Sequence, residues 1–217
     1  MNKIIIVDDH SLFREGIKLL IENEGYGKVI AEAENGQQFI DLLKIHQPDL
    51  VIMDIEMPVM NGLKATQEAI KLFPNLKILV LTMLNNKSNY IDLVNAGALG
   101  FVLKTSGKQE FEKAILTIIQ GECYFSNELL RQLIMQQHEN TLKTNDSCTI
   151  NFTTLSKREK EVLQQLCNGL TVNEIAEKLF VSHKTIETHR SALLKKTNTK
   201  NTINLILCAL KNKVVEL

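Results

Sequence analysis

The fold is decided by the stretch Val51-Ile52-Met53-Asp54-Ile55-Glu56-Met57-Pro58, in which a short apolar run ends in a carboxylate, with a proline close behind it. Three further apolar runs of the same length occur at residues 4–7, 78–81 and 100–103. Each run is followed by a segment with the period of a helix, which is typical of βα units that feed one parallel sheet. The chain is therefore predicted to begin with a doubly wound α/β domain of five strands alternating with five helices.

Polar residues stand at the ends of these four runs. They are, in chain order, Asp8 with Asp9, Asp54, Thr82 and Lys104. In open parallel sheets, ligands bind outside the carboxyl ends of the strands, near the point where the strand order reverses. We therefore expect these five side chains to converge on one site.

The three aspartates need positive charge beside them. At separations of about 5 Å, each pair of carboxylates would repel by roughly 3 kcal/mol at an effective dielectric constant of about 20. Three such pairs approach the whole ~5–15 kcal/mol stability of a domain. Lys104 offsets part of this repulsion, and a hard divalent ion with oxygen ligands, Mg²⁺ first among them, would offset the rest.

This charge balance favours phosphoryl chemistry at Asp54. Its carboxylate could attack a phosphoryl donor as a nucleophile while the Lys104 ammonium and the Thr82 hydroxyl contact phosphoryl oxygens. Taken singly, each residue has an ordinary explanation: Asp8 or Asp9 as a helix N-cap, Thr82 as a strand residue, Lys104 as a solvated lysine. Their joint occurrence at four strand ends favours the phosphoryl site.

The zero net charge of the 217-residue chain conceals a difference between its two ends. Residues 1–126 hold 12 Lys and Arg against 16 Asp and Glu, and residues 127–150 hold 2 against 3. Residues 151–217 hold 11 against 6. An acidic front and a basic back indicate two domains with different partners, the basic one a candidate for binding a phosphate backbone.

The cysteines and the first residues indicate the compartment. The four cysteines show no C-x-x-C spacing, and we interpret them as reduced, mostly buried side chains of a cytosolic protein; they are Cys123, Cys148, Cys167 and Cys208. Residues 1–3 lead directly into the first apolar run, so no signal peptide is expected. No apolar run is long enough to span a bilayer. We therefore expect a cytoplasmic protein with no membrane partner.

A change of composition separates the two domains. Residues 127–138 have the apolar spacing of one short helix, and residues 139–149 are polar, which predicts a linker. Beyond it we expect a small all-α domain without strands. Its four helices are predicted at residues 157–167, 172–179, 183–196 and 201–211.

The starts of these helices are marked by capping signals. Ser156-x-x-Glu159 and Thr171-x-x-Glu174 both fit the capping box, and Ser182 is the candidate N-cap of the third helix. Two short helices joined by a tight turn, the second one carrying cations, are typical of a helix-turn-helix.

The third helix has two distinct faces. One is mostly apolar and is expected to pack on the domain; it comprises Ile186, Arg190, Leu193 and Thr197. The other carries two lysines and two small hydroxyls suited to the major groove and its phosphates; it comprises Lys184, Thr188, Ser191 and Lys195. A lone basic helix is more often only solvated, but the capping pattern and turn spacing here favour nucleic-acid binding.

Residues 1–120 resemble the receiver domain of two-component response regulators. The resemblance is carried by the acidic pair, Asp54 with its following Met57-Pro58 and Gly62, and the Thr82 and Lys104 that end later strands. It implies a sheet of order 2-1-3-4-5, with Asp54 as the phosphoacceptor. It further implies Mg²⁺ ligation by Asp9 and Asp54, with Asp8 assisting through metal-bound waters and Glu56 contributing its backbone carbonyl. Thr82 and Phe101 occupy the switch positions of that family. Thr105 departs from the pattern, since many receivers have a cis proline after the lysine.

Residues 155–189 closely resemble the LuxR-type helix-turn-helix, and with the receiver they place the chain in the NarL/FixJ family. The resemblance places Lys184, Glu187, Thr188 and Ser191 of the third helix at positions that face the bases, and Thr185 and Lys195 are further predicted DNA contacts. Glu187 departs from the family, since that position is often cationic; an acid there could accept from a cytosine amino group. By the same resemblance the last helix forms a dimerisation face with Leu205, Cys208 and Ala209.

The predicted organisation is a receiver at residues 1–121, a linker with a short helix at 122–150, and a DNA-binding domain at 151–217. The predicted function is a transcriptional response regulator that a sensor histidine kinase phosphorylates at Asp54 with Mg²⁺ and that binds double-stranded DNA as a homodimer. Release of a masked helix and receiver-driven pairing both remain open as the coupling route.

Two other functions fit parts of the pattern. An Mg²⁺-dependent phosphatase also uses an aspartyl phosphate, but such enzymes usually carry a second aspartate two residues after the nucleophile, where this chain has Glu56. They also need a substrate cap that the chain lacks. The second is a DNA-binding protein whose receiver is only a fixed docking module.

Overall fold

The computed structural model describes residues 1–83, 90–126, 154–199, 201–212 and 214–215. The chain divides into two compact units, Met1–Tyr124 and Phe125–Leu217, and each is described by itself. The predicted boundaries at residues 121 and 150 remain predictions. The short helix predicted at 127–138 and the polar linker at 139–149 lie outside the described residues.

The first unit alternates strands and helices. The strands are β1 (Lys3–Val7), β2 (Lys28–Ala33), β3 (Leu50–Asp54), β4 (Ile78–Thr82), β5 (Gly100–Leu103) and β6 (Tyr124–Phe125). The helices are α1 (Ser11–Asn23), α2 (Gly36–Leu43), α3 (Gly62–Leu72), α4 (Tyr90–Ala96) and α5 (Lys108–Ile119). The predicted α/β alternation is confirmed.

The sheet has the order β2-β1-β3-β4-β5-β6. The pairs of β1 with β2 and β3, of β3 with β4, and of β4 with β5 are all parallel. The expected order 2-1-3-4-5 is confirmed, and β6 is an addition that the sequence prediction missed. A two-residue strand is too short to show any alternation of apolar and polar residues.

The central strands are apolar except at their last residues, as is typical of parallel strands covered on both faces by helices. Every residue of β3 and β4 is buried, including Asp54 and Thr82 at their carboxyl ends. One core cluster joins all five parallel strands with α1 and α5 through residues such as Ile6, Ile52 and Ile115. This rigid layer fixes the positions of the polar groups at its edge.

The second unit is helical in its described part. Its helices are α6 (Lys157–Cys167), α7 (Val172–Lys178), α8 (His183–Thr197) and α9 (Thr202–Lys211). The predicted bounds agree to within one residue at every end. Ser156 and Thr171 each form a complete capping box, and the Ser182 hydroxyl accepts from the Thr185 amide as the cap of α8. The sequence signals for these three helix starts are confirmed.

The cysteine prediction is partly wrong. Cys208 is disulfide-bonded, and the sequence has no C-x-x-C spacing that would have predicted it. Cys167 keeps its thiol, and burial raises the pKa of that thiol to about 12. Such a thiol stays protonated at neutral pH and is therefore a weak nucleophile.

None of the helices in the described ranges combines the length and the apolarity required to cross a bilayer.

Candidate functional site

Asp54 and Lys104 meet at the carboxyl edge of the sheet. Asp54 is the last residue of β3, and Lys104 follows β5. The Lys104 Nζ donates to Asp54 Oδ2 at 2.7 Å and lies 2.6 Å from Asp8 Oδ2. All three side chains are almost fully buried, at 7% exposure or less. The structure thus brings together the Asp54 carboxylate, one acid of the pair and the lysine, as predicted.

The second acid of the pair faces outward. Asp9 is exposed, and its Oδ1 lies 2.8 Å from Nδ1 of His10. The His10 amide donates to Asp8 Oδ1 at 2.9 Å. His10 is the N-cap of α1 and makes no side-chain capping bond. Neither Asp8 nor Asp9 is therefore the N-cap of α1. The N-cap role that each could have had, taken singly, is excluded.

Arg14 is a buried cation that the sequence analysis missed. It donates from Nη1 to the Asp8 carbonyl at 2.5 Å and lies 3.4 Å from both Glu32 and Glu34. The guanidinium therefore ties the end of β1 to the end of β2. Its position within the amphipathic pattern of α1 gave no sign of this role, because its partners are 18 and 20 residues away.

The pKa values of the central pair shift in ways that geometry explains. Burial raises the pKa of Asp54, and the contact with Lys104 offsets only part of that rise. Burial opposes the charge on Lys104, but its contacts with Asp54 and Asp8 outweigh burial and raise its pKa. The lysine therefore stays charged throughout the physiological pH range.

The loop after Asp54 approaches the strand closely. The Gly62 amide donates to the Ile55 carbonyl at 2.9 Å, and a Cβ at Gly62 would lie 2.1 Å from the Asp54 carbonyl oxygen. Asn61 caps α3 by accepting from the Lys64 amide. The glycine after the acceptor is thus required for close approach, and this explains its place in the motif.

Val59 in the same loop has a left-handed backbone conformation, with φ 65°. Such a conformation is strained for a β-branched residue, at a cost of about 1–3 kcal/mol. Its side chain is 86% exposed, so packing does not compensate for the strain.

We expect Val59→Gly to raise the free energy of unfolding of the first unit by about 1 kcal/mol, because strain relief exceeds the ~0.4–1 kcal/mol entropic cost of a glycine. Urea unfolding measures the change. Val59→Ala is the matched variant and should gain less, since it keeps a Cβ at positive φ. Equal stability of the two variants would contradict the argument from strain.

The acidic cluster fits a hard divalent cation. Ligand atoms of Asp8, Asp9, His10 and Asp54 all lie within 4.8 Å of one another. Three of these four are carboxylates, the ligand type that Mg²⁺ prefers. Glu56 lines the same cavity as Asp9 and Asp54. Receiver domains generally use Mg²⁺ at an acidic pocket of this kind.

The two predicted switch residues lie on neighbouring strands. The Thr82 hydroxyl donates to the Met83 carbonyl at 3.2 Å, and Thr82 lines the cavity beside Asp54. The Phe101 ring is fully buried within β5. The peptide bond between Lys104 and Thr105 is trans. The loop therefore lacks the cis bond that many receivers have after the lysine.

Helix α8 separates its residues as predicted. Ile186, Leu193 and Thr197 are buried against the second unit, and Arg190 lies at the edge of that face. The opposite face is exposed along its length at Lys184, Thr188, Ser191 and Lys195. A continuous exposed face with a lysine near each end matches a helix that enters the major groove.

Three of the proposed DNA-contacting residues already make side-chain contacts in their own unit. Glu187 pairs with Arg190 at 2.8 Å, and the Thr185 hydroxyl lies 2.8 Å from the hydroxyl of the N-cap Ser182. The Thr188 hydroxyl donates to the Lys184 carbonyl at 2.9 Å. A contact between Glu187 and a DNA base would therefore compete with the ion pair between Glu187 and Arg190. Leu205, Cys208 and Ala209 are buried within the single chain, so a dimer through them would have to uncover them; this face stays a prediction.

Lys196 is a second cation that the sequence analysis did not identify. Its Nζ lies 2.8 Å from Glu159, which is the capping-box acid of α6. The contact joins the end of α8 to the start of α6 across 37 residues of sequence. It fixes the orientation of the exposed face of α8 within its own unit.

Fold and site together define a class of protein. Residues 4–116 match the family described as "Response regulator receiver domain", and residues 153–209 match "Bacterial regulatory proteins, luxR family". A receiver joined to a DNA-binding domain is a response regulator, which is a regulatory protein rather than an enzyme.

Two relatives match this chain over almost their whole length. The chain is 35% identical over 215 residues to the "Oxygen regulatory protein NreC" of Staphylococcus carnosus (strain TM300), covering 99% of both chains. It is 36% identical over 217 residues to the protein of the same name from Staphylococcus epidermidis (strain ATCC 12228 / FDA PCI 1200), again covering 99% of both. The chain belongs to the NarL/FixJ family of response regulators.

Solved structures of response regulators are also similar. The response regulator ChrA of a heme-sensing two-component system matches with a TM-score of 0.53 and 26% identity, covering 98% of both chains. A structure of two RcsB dimers bound to two parallel DNAs matches with a TM-score of 0.55 and 28% identity, covering 94% of this chain and 96% of that one.

Proposed function

We propose that Asp54 is the phosphoryl acceptor of this response regulator and that a sensor histidine kinase supplies the phosphoryl group. The observation that carries the proposal is the buried contact between Asp54 and Lys104, at 2.7 Å, at the end of a central strand. A second buried acid shares the same ammonium at 2.6 Å. This arrangement supports a carboxylate nucleophile beside a fixed positive charge.

The cavity beside Asp54 supports access of a donor. It has a volume of about 870 Å³ and is lined by Asp54, Thr82 and Lys104 together with apolar residues of α1. In phosphoryl transfer, a bond forms between an Asp54 oxygen and phosphorus while the bond from phosphorus to the donor's leaving atom breaks. The product is an acyl phosphate, whose oxygens can accept from Lys104 and the Thr82 hydroxyl.

A magnesium ion would be held by the carboxylates of Asp9 and Asp54, with Asp8 assisting through the ion's waters and Glu56 contributing a backbone carbonyl. The proposal is supported by the oxygen-rich cluster around these residues. When bound, the ion neutralises negative charge as the phosphoryl group arrives. Asp8 is itself oriented by the Arg14 and His10 contacts at its carbonyl and carboxylate.

The second unit would read double-stranded DNA with the exposed face of α8. The residues proposed to contact DNA are Lys184, Thr185, Glu187, Thr188, Ser191 and Lys195. Four of them are exposed, and the helix ends with two lysines, Lys195 and Lys196. Binding to DNA as a homodimer is further supported by the two RcsB dimers on DNA in the similar structure, and α9 is proposed as the dimer face.

In the proposed regulation, phosphorylation of the first unit changes DNA binding by the second. Phosphorylation of Asp54 redistributes the contacts of Lys104, and the buried Thr82 and Phe101 adjust to the new charge, which alters the receiver surface. The altered surface favours the DNA-bound dimer, by release or by pairing of the second unit. As a DNA-binding regulator the protein acts in the cytoplasm, and its only group transfer is self-phosphorylation and slow dephosphorylation at Asp54.

Phosphorylation with acetyl phosphate and Mg²⁺ tests the proposal. The wild type should form one stable acyl phosphate per chain and bind DNA more tightly, whereas Asp54→Asn should do neither. Asp41→Asn is the matched control, because Asp41 is an exposed acid of α2 that pairs with Lys44. Rapid turnover of many equivalents would identify a phosphatase instead. Equal DNA affinity of wild type and Asp54→Asn would identify a fixed docking module.

The salt dependence of DNA binding tests the proposed DNA-contacting face of α8. If Lys195 contacts a phosphate, Lys195→Ala should reduce the slope of log affinity against log salt by about 1 unit, since one fewer counterion is released. Lys160→Ala is the control, because it removes the same charge from an exposed position of α6. Filter binding or fluorescence anisotropy over a salt series gives the slope. An unchanged slope for Lys195→Ala would remove this lysine from the interface.

A further inference from the structure

The Lys104 ammonium has a third neighbour besides the two acids. Its Nζ lies over the ring of Phe13, 4.9 Å from the ring centroid. Phe13 is in the first turn of α1, which begins at Ser11. The ring is half-buried and also packs against the core cluster of the first unit. The ammonium is thus enclosed by two carboxylates and one aromatic face.

We infer that Phe13 is a positioning residue that holds the Lys104 ammonium in place by a cation–π interaction. The distance is within the range of about 6 Å in which a ring attracts a cation, and the attraction is stronger where water is excluded. Lys104 is 7% exposed, so its ammonium is largely removed from water. Both conditions are met at this contact.

The ring matters because the other two contacts of the ammonium change during the proposed reaction. One oxygen of Asp54 forms a bond to phosphorus. Asp8 and Asp54 also both lie in the acidic cluster that fits a cation. The ring of Phe13 has no charge to be neutralised and takes no part in that cluster. The ring therefore keeps the ammonium in place while Asp8 and Asp54 change their contacts. This consequence for phosphorylation rests on the proposed function; the contact itself does not.

An ordinary packing role makes a different prediction. If Phe13 only fills space between α1 and the core, an aliphatic side chain of similar size would serve as well. If the π face holds the ammonium, the effect must follow the electron density of the ring. Stepwise fluorination lowers that electron density with little change of shape, so it separates the two roles.

The experiment replaces Phe13 with mono-, di- and trifluorophenylalanine in the full chain. Phe73 is the matched control position, since it is also half-buried, and no cation–π contact involves it among the described residues. The first measurement is the hydrogen exchange rate of the Lys104 ammonium, followed by NMR at one fixed pH without phosphodonor. The second is the rate of phosphorylation by acetyl phosphate.

We expect the ammonium exchange rate to rise steadily with each fluorine at Phe13, by about fivefold over the series. The phosphorylation rate should fall over the same series by a similar factor. The series at Phe73 should change neither quantity. Phe13→Tyr should retain the wild-type exchange rate, and Phe13→Leu should resemble the trifluoro variant.

The two measurements keep this inference separate from the proposed function. An exchange rate that stays flat along the Phe13 series overturns the inference, whatever the phosphorylation rate does. Failure of the wild type to form any adduct at Asp54 overturns the proposed function, while a graded exchange rate would still support the contact between ring and ammonium. A graded exchange rate with an unchanged phosphorylation rate overturns the positioning role in the reaction.

Discussion

Gly62→Ala is expected to lower the free energy of unfolding of the first unit by about 3 kcal/mol and to move the acceptor carboxylate. The added Cβ would lie 2.1 Å from the Asp54 carbonyl oxygen and 3.0 Å from the Asp54 carbonyl carbon. Backbone atoms of a central strand cannot move aside as a flexible side chain can, so the cost lies at the upper end of the ~1–3 kcal/mol range for overpacking. Urea unfolding of the variant measures it.

The same substitution at Gly16 is the control. Gly16 is an exposed interior residue of α1, and a Cβ there meets no atom of the described residues within 4 Å. Gly16→Ala should therefore stabilise the unit by about 0.5–1 kcal/mol, as expected for glycine to alanine in a helix. Equal and small effects of the two substitutions would show that the loop after Asp54 does not require a glycine.

Much of the fold could be predicted because its signals are local. The strands ending in Asp54 and Thr82 are apolar runs of four or five residues, and such runs mark the buried strands of a parallel sheet. The capping boxes at Ser156 and Thr171 depend on residues three positions apart, so the sequence displays them completely. Strand β6 was missed because two residues are too few to show an alternation of apolar and polar side chains.

The parts of the site that escaped prediction depend on distant contacts. The sequence indicated that Asp8, Asp54 and Lys104 would converge, because each ends a strand of one sheet. It did not indicate that Arg14 holds Asp8 or that Phe13 faces the lysine. Both residues belong to α1, and only the packing of α1 against the edge of the sheet brings them to the site.

Lys104→Met is expected to lower the free energy of unfolding by about 3–5 kcal/mol in the absence of divalent cations. The substitution keeps most of the apolar stem but leaves the buried carboxylates of Asp8 and Asp54 without a counter-charge, and breaking a buried ion pair in this way has a cost of that order. Both carboxylates are 6% exposed or less, so water screens little of the repulsion. Thermal or urea unfolding in EDTA measures the difference.

The stability that Lys104→Met loses should depend on pH and on Mg²⁺. The pKa of Lys104 is raised above its ordinary 10.5, so the stability that its charge contributes in the wild type is lost only as the pH rises through that raised pKa. Burial raises the pKa of Asp54 above 3.8, so an ionised Asp54 opposes folding at neutral pH, and acidification towards the raised pKa should shrink the deficit of the variant. Mg²⁺ should shrink it too, because an ion that binds only the folded state stabilises that state.

Lys108→Met is the control for this substitution. Lys108 is a lysine at the start of α5 that pairs with Glu24 at 2.5 Å, but it is half exposed and its charge is screened. Its loss should leave stability almost unchanged and insensitive to Mg²⁺. If both lysine variants lost the same stability, or if Mg²⁺ did not restore the Lys104 variant, the charge of Lys104 would not be what stabilises the buried carboxylates of Asp8 and Asp54. The proposed role of Asp54 as a nucleophile would then need another source of positive charge.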